Sequence, residues 1–451
     1  MTKETQKHIH FIGISGVTMA PLAVLYKKLG WKVTGSDRAF FPPMSTYLKK
    51  NGIAIMPGYK EKHLSQRPDL VLVMAFISKK NPELAYAIKN KIPYKTYGEV
   101  LPELIEKENS IVVAGSCGKT SVTSLVAWLL EVAKFNPSFM IGGIAKNFTD
   151  GIRSTDSKWS VLEGDEYPIA NWKKTSRFLA YHPKYLILTG ATWDHMDMFP
   201  TKSSYINTFH KLALKMPKNG VIIANRRGEN AQEVLNGAKA QICWYDENSA
   251  EGFTPPFLGA AWKENIGSVV ALAKQIGIED KQIKRALRTF KGIKRRQEVR
   301  YQDKNIVVID DNAHSPEKVE GALEAIRAQF PCKSIIAIYE PGNRSDLALK
   351  QKEYHKCFAK ADYVLLPRLS GTSAESQEFN KKLARKIQKD YKRVQFITED
   401  EEVISQIKKI VVGWRKRDIF GCVVFMSQKG FRGMIEETIR TIKQKNDQFS
   451  I

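Results

Sequence analysis

A chain of 451 residues, 43% of them hydrophobic, can build two to four packed domains, and its five scattered cysteines, none in CxxC spacing, argue against a disulfide framework or a structural zinc site. The formal charge of +24 invites a nucleic-acid reading, but basic residues run the whole length, the dense stretch 284–300 offers only Phe290 for stacking, and no helix-turn-helix, RNP or finger pattern occurs. No run approaches the ~18 apolar residues of a membrane span, and the first ten residues lack the apolar core of a secretory leader, which predicts a cytoplasmic protein without membrane or specific nucleic-acid partners.

In chain order, the opening reads as a strand over 8–12, the turn Gly13-Ile14-Ser15-Gly16, a helix over 19–29, a strand over 32–35 and then Asp37. That is a Rossmann-type pattern, in which the turn offers N–H groups to an anion and the acidic residue bonds a ribose or base. Gly13, Ser15, Gly16 and Asp37 are therefore candidate substrate contacts. A strand over 70–76 and a polar break at 78–82 continue the α/β alternation to about residue 107.

The most informative run follows: an apolar strand over 110–114 breaks into Gly115-Ser116-Cys117-Gly118-Lys119-Thr120-Ser121. Val122, Leu125, Val126, Leu129 and Leu130 then recur at helical spacing. Strand, glycine loop and helix in this order make a phosphate cradle for ATP: loop N–H groups face anionic oxygens, Lys119 neutralises a terminal phosphate, and the hydroxyl of Thr120 or Ser121 can hold Mg²⁺. The loop is two residues shorter than GxxxxGK[ST], so its context carries the reading. Cys117 is either a thiol activated by its surroundings or a small residue that fits the loop.

Strands over 159–162, 185–189 and 220–224 continue this unit. Glu163-Gly164-Asp165-Glu166 follows the first and Asp194-His195-Met196-Asp197 the second, at carboxyl ends of strands, where doubly wound sheets bind ligands. A further unit has strands over 306–309, 334–339, 363–366, 394–397 and 421–426. The expected fold class is α/β, as three consecutive modules: a Rossmann-like module over 1–107, a central P-loop module over 108–296 and a Rossmann-like module over 297–451.

These residues together resemble the Mur ligase family, the ATP-dependent amide-forming enzymes of peptidoglycan synthesis. The supporting segments are Gly35-Ser36-Asp37 with Pro42-Pro43-Met44-Ser45, Glu163 to Tyr167 with Lys174-Thr175-Ser176-Arg177-Phe178, residues 292–300, and Met426-Ser427-Gln428-Lys429-Gly430-Phe431. The resemblance implies that the modules bind UDP-sugar, ATP and amine in that order. It implies as substrates UDP-N-acetylmuramate and the tripeptide L-alanyl-γ-D-glutamyl-meso-diaminopimelate, with L-alanine addition as the alternative and a degenerate nucleotide-binding relative as another. It further implies Lys119 on the phosphates, Thr120 and Glu163 on a first Mg²⁺ with Glu166 as the competing ligand, and His195 on a second metal.

By the same resemblance, His210 stands where other branches carry a modified lysine, Asn265 contacts adenine, Asp310 and His314 reach the nucleotide, Arg296 lies near the ATP phosphates unless it is a solvated linker residue, and Arg344 pairs a substrate carboxylate. A monomer or weak homodimer is expected. The sequence departs from the family at Ser116-Cys117 for Thr-His, Gly190 for Asn, Ala261-Trp262 for His-Asn and His314-Ser315 for His-His, while Lys429 and Arg432 fill glycine positions. Trp262 either stacks on the base or fills a core gap.

Overall fold

The computed structural model describes residues 6–41, 44–196, 198–257, 259–342, 354–369, 374–388, 393–428 and 430–443. The chain folds into mixed α/β structure around parallel-dominated sheets. The first sheet is all parallel, with spatial order Ala54–Pro57, Lys32–Asp37, His8–Ile12, Leu70–Val73 and Tyr94–Thr96. Its central strand is buried along its whole length, as expected where helices cover both faces. The second sheet runs Gln241–Tyr245, Val221–Asn225, Tyr185–Leu188, Asn109–Ala114, Trp159–Gly164, Ser138–Met140 and Ile152–Arg153, antiparallel only at the last pair. The third runs Glu298–Gln302, Ile306–Asp311, Gly421–Ser427, Ser334–Glu340, Tyr363–Pro367 and Val394–Ile397, antiparallel only at its first pair.

By backbone proximity the chain divides into two compact units. The first, residues 1–194, 198–256 and 264–291, holds the first two sheets, whose apolar side chains merge into one core running from Ile9 and Phe11 to Val112, Leu162 and Leu186. The second holds residues 195–197, 257–263 and the chain from 292 onward. Alternate residues of its strand Ile306–Asp311 feed two separate cores, Val307 and Ile309 on one face and Ile306 and Val308 on the other. That is the signature of a sheet covered on both sides.

Strand register positions the functional loops. Val113 pairs with Glu163, Ala114 with Gly164 and Ala114 with Leu188, so the glycine loop, the acidic loop and Thr189-Gly190 leave the sheet at one edge. In the third sheet Asp311 pairs with Met426 and Glu340 with Ser427, which gathers those side chains at its carboxyl edge. Glu163 and Gly164 close a strand rather than follow it, because Glu163 is buried in the ladder. The strand Gln241–Tyr245, the small hairpin Pro168–Ala170 with Lys173–Ser176, and the edge strand Glu298–Gln302 have no counterpart in the sequence pattern. Glu298–Gln302 is polar and half-exposed, so hydrophobic periodicity has nothing to report there.

Candidate active site

The run Asn109–Ala114 ends at Gly115, and the helix Lys119–Val132 begins behind Gly118. Gly115 has φ 140, and a Cβ there would sit 2.1 Å from Thr189 Oγ1. Gly118 has φ 80, and a Cβ there would meet Asn265 Oδ1 at 2.5 Å. Both glycines are required by conformation and by space. The second contact brings Asn265, in the helix Ala260–Gln275, against the loop. The turn is tied from below by Ser116 Oγ donating to the Thr192 carbonyl at 2.6 Å and Thr189 Oγ1 donating to the Cys117 carbonyl at 2.6 Å. Cys117 itself is exposed.

Lys119 Nζ donates to the Gly115 carbonyl at 2.6 Å and lies 2.9 Å from Glu166 Oε2, whose side chain is almost wholly buried. Burial disfavours the ammonium, but Glu166, Asp165 and Glu163 outweigh that cost and hold it well above the usual lysine range. Thr120 Oγ1 donates to Glu163 Oε1 at 2.8 Å, and the Gly142 N–H donates to Glu163 Oε2 at 2.8 Å. Burial, reinforced by Glu166, pushes the Asp165 carboxyl up to about 7 against the pull of Lys119. Three carboxylates thus crowd one lysine at the mouth of a phosphate-type loop. A hydroxyl and a carboxylate side by side are the hard oxygen donors a magnesium ion takes, and the excess negative charge fits a divalent cation.

Among the described residues no group of three His, Cys, Asp or Glu stands at metal-holding distance. Of the expected metal set, Thr120 and Glu163 are brought together, whereas His195 belongs to the other compact unit and has a left-handed backbone, φ 55. Glu166, the competing ligand, is engaged by Lys119. His210 faces the Val234 carbonyl through Nδ1 at 3.0 Å.

At the first sheet the Gly13 and Ile14 N–H groups donate to the Ser36 carbonyl, and Ser15 N–H donates to Asp37 Oδ2 at 2.9 Å. Gly16 starts the next helix by accepting from Ala20 N–H. Gly13, Ser15, Gly16 and Asp37 therefore form one hydrogen-bonded turn. In the second unit Asp310 lies 3.4 Å from Arg295 and 3.3 Å from Arg300, Arg296 acts electrostatically on the buried Asp311, and the His314 carbonyl accepts from Tyr339 and Gly342. Arg344 and Lys429 lie outside the described residues. Trp262 is buried with its ring centroid 4.9 Å from that of Phe257, so it fills a core gap.

Three family models match consecutive parts of the chain: the Mur ligase family catalytic domain over residues 8–109, the Mur ligase middle domain over 113–268, and the Mur ligase glutamate ligase domain over 295–419. The chain belongs to the Mur ligase family. It is therefore an ATP-dependent amide ligase of peptidoglycan synthesis. This Mur ligase is 31% identical over 390 residues to the UDP-N-acetylmuramate–L-alanyl-γ-D-glutamyl-meso-2,6-diaminoheptandioate ligase of Haemophilus influenzae, covering 80% of this chain and 85% of that one. It is 28% identical over 447 residues to the UDP-N-acetylmuramate–L-alanine ligase of Pelagibacter ubique, covering 90% and 94%. The crystal structure of a murein peptide ligase from Psychrobacter arcticus superposes with a TM-score of 0.74 at 26% identity, covering 97% and 98%.

Sequence reasoning about this Mur ligase named two arginines without the contacts they make. Arg177, buried to 7% exposure, lies 3.0 Å from Asp165 Oδ2, donates to the Tyr167 carbonyl and has its guanidinium 4.8 Å from the Tyr97 ring centroid. It thereby braces the acidic loop against the helix Tyr97–Ile105; the basic residue ten positions beyond Tyr167 gave no periodic signal. The other is Arg432, which lies 3.3 Å from Glu340 and 2.8 Å from Asp400 while Ser427 Oγ donates to Glu340 at 2.8 Å. Arg432 adopts φ 53, the left-handed region that favours glycine, and the two carboxylates hold it there.

Proposed function

We propose that this Mur ligase joins UDP-N-acetylmuramate to L-alanyl-γ-D-glutamyl-meso-diaminopimelate. The lactyl carboxylate oxygen of the sugar attacks the γ-phosphorus of ATP and ADP leaves; the peptide's amino nitrogen then attacks the acyl carbonyl, inorganic phosphate leaves and the nitrogen loses a proton. Each step accumulates negative charge that fixed cations offset. The observation that carries the chemistry is the Lys119 ammonium poised between the Gly115 carbonyl and Glu166, beside the Thr120–Glu163 pair. When nucleotide enters, Lys119 exchanges Glu166 for a phosphate oxygen. Thr120 and Glu163, with His195 for a second ion, would hold Mg²⁺, which supplies Lewis-acid neutralisation of the phosphoryl oxygens. Gly13, Ser15, Gly16 and Asp37 bind the UDP-sugar; Asn265 contacts adenine; Asp310, His314 and Arg296 serve the nucleotide; and Arg344 receives a peptide carboxylate. The functional modules are 1–107, 108–296 and 297–451, and the enzyme works in the cytoplasm.

The amine assignment draws on the Haemophilus relative. L-Alanine addition is the second reading, favoured by the Pelagibacter relative's greater coverage of the chain. ADP release with UDP-N-acetylmuramate plus either amine decides between them. The tripeptide is expected to react with the higher kcat/KM; a faster L-alanine reaction overturns the choice, and nucleotide binding without turnover on either amine points to a degenerate relative.

A further inference from the structure

The helix Asp280–Thr289 carries Lys281, Lys284, Arg285 and Arg288 at spacings of i, i+3, i+4 and i+7, which is one stripe of a helix. All four are exposed, and all four line an open cleft of about 730 Å³ together with the loop at Thr254-Pro255-Pro256. That volume lies within the ordinary range for a small-molecule site. Among the described residues no carboxylate lines it. Glu279, beside the cleft, is held by Lys281 at 2.6 Å, while Lys284, Arg285 and Arg288 have no acidic partner within ion-pair distance among the described residues. Like charges at these spacings repel, and an anion in the cleft would relieve that repulsion.

The geometry points to a binding site for a linear oligophosphate, separate from the phosphate loop. Its cations run along one helix face for two turns, matching a short chain of charges rather than a point charge. A membrane surface is disfavoured because the apolar side chains of this helix, Ile283, Ala286 and Leu287, are buried and the helix packs against Lys119–Val132. Nucleic acid is disfavoured because, among the described residues, Phe290 is the one aromatic that lines the cleft and is itself buried. Trp128 Nε1, on the phosphate-loop helix, donates to Thr289 Oγ1 at 3.0 Å, and Asn147 Nδ2 donates to the Thr289 carbonyl at 3.0 Å. An occupant of the cleft therefore bears on the helix whose first turn carries Lys119 and Thr120.

The test is calorimetric titration of sodium tripolyphosphate into the full-length enzyme, with the phosphate loop first saturated with ADP and free Mg²⁺ buffered. One equivalent is expected to bind, with affinity falling at least tenfold in the Lys284→Ala/Arg288→Ala double variant while its KM for ATP stays unchanged. Parallel titrations use a single-stranded DNA 20-mer and phosphatidylglycerol vesicles. A flat tripolyphosphate isotherm, or equal affinity in parent and double variant, overturns the site. So does binding of DNA or vesicles that the double variant loses when tripolyphosphate does not bind. Ligase turnover, read separately, reports on the reaction and not on this cleft.

Discussion

At the scale of single residues, charge is concentrated where the chemistry needs it and neutralised where it does not. Lys119→Ala removes the ammonium that faces the carboxylate cluster, and loss of a comparable transition-state contact costs about 10²–10³ in kcat. ADP release under saturating substrates is expected to fall by at least that factor. Glu83, buried without exposure against Ser36 and His10 of the first sheet, shows the opposite use of a carboxylate. His63 Nδ1 lies 2.6 Å from it, Lys60 N–H donates to it, Ser36 Oγ donates to it, and His10 Nε2 is 3.6 Å away. Burial alone would raise its pKa, yet these partners hold it below the usual carboxylate range. A carboxylate depressed in the folded state contributes stability above its unfolded value, near ~4.3, and loses it as pH falls through the folded value. Glu83→Gln is therefore expected to cost about 1–3 kcal/mol in denaturant melts at pH 7. The gap from the parent should narrow as the pH falls through the depressed folded value, below which both proteins carry a neutral group there.

At the scale of elements, the strand, loop and helix around Gly115 were legible as a pattern, whereas the residues of the helix Asp280–Thr289 were noticed only in part, as the start of a dense basic stretch. The glycine loop announced its role because few conformations satisfy its spacing; its ties to Thr189, Thr192 and Asn265 come from segments more than seventy residues away and leave no local mark. In the helix Asp280–Thr289 the basic stripe lies beside the 252–256 loop, and that packing makes the cleft. Replacing Lys284 and Arg288 with alanine removes three like-charge pairs at i, i+3 or i, i+4 and one opposite-charge pair, Asp280 with Lys284 at i, i+4, each worth about 0.2–0.5 kcal/mol. The double variant is expected to melt higher than the parent at low ionic strength, and the difference should shrink in 0.5 M salt, where ~4 Å of screening length remains. A lower melting temperature in the variant at low salt would contradict this account of the stripe.

For the molecule as a whole, nucleotide should act as a clamp on the phosphate loop: at a hundredfold excess over Kd a ligand stabilises the state it binds by about 2.7 kcal/mol. Thermal melts with ATP and Mg²⁺ are expected to shift upward for the parent and to stay put for Lys119→Ala. The three α/β stretches and the glycine loop could be read from the chain because each rests on local spacing, where apolar runs mark buried parallel strands and glycines mark forced turns, while the family was read from the resemblance of particular segments. The bracing of Asp165 by Arg177, the four-partner enclosure of Glu83, the capture of left-handed Arg432 by Glu340 and Asp400, and the burial of Trp262 against Phe257 were decided by tertiary structure alone. These are meetings of polar or aromatic side chains distant in sequence, and no periodicity encodes which two ends of a folded chain will touch.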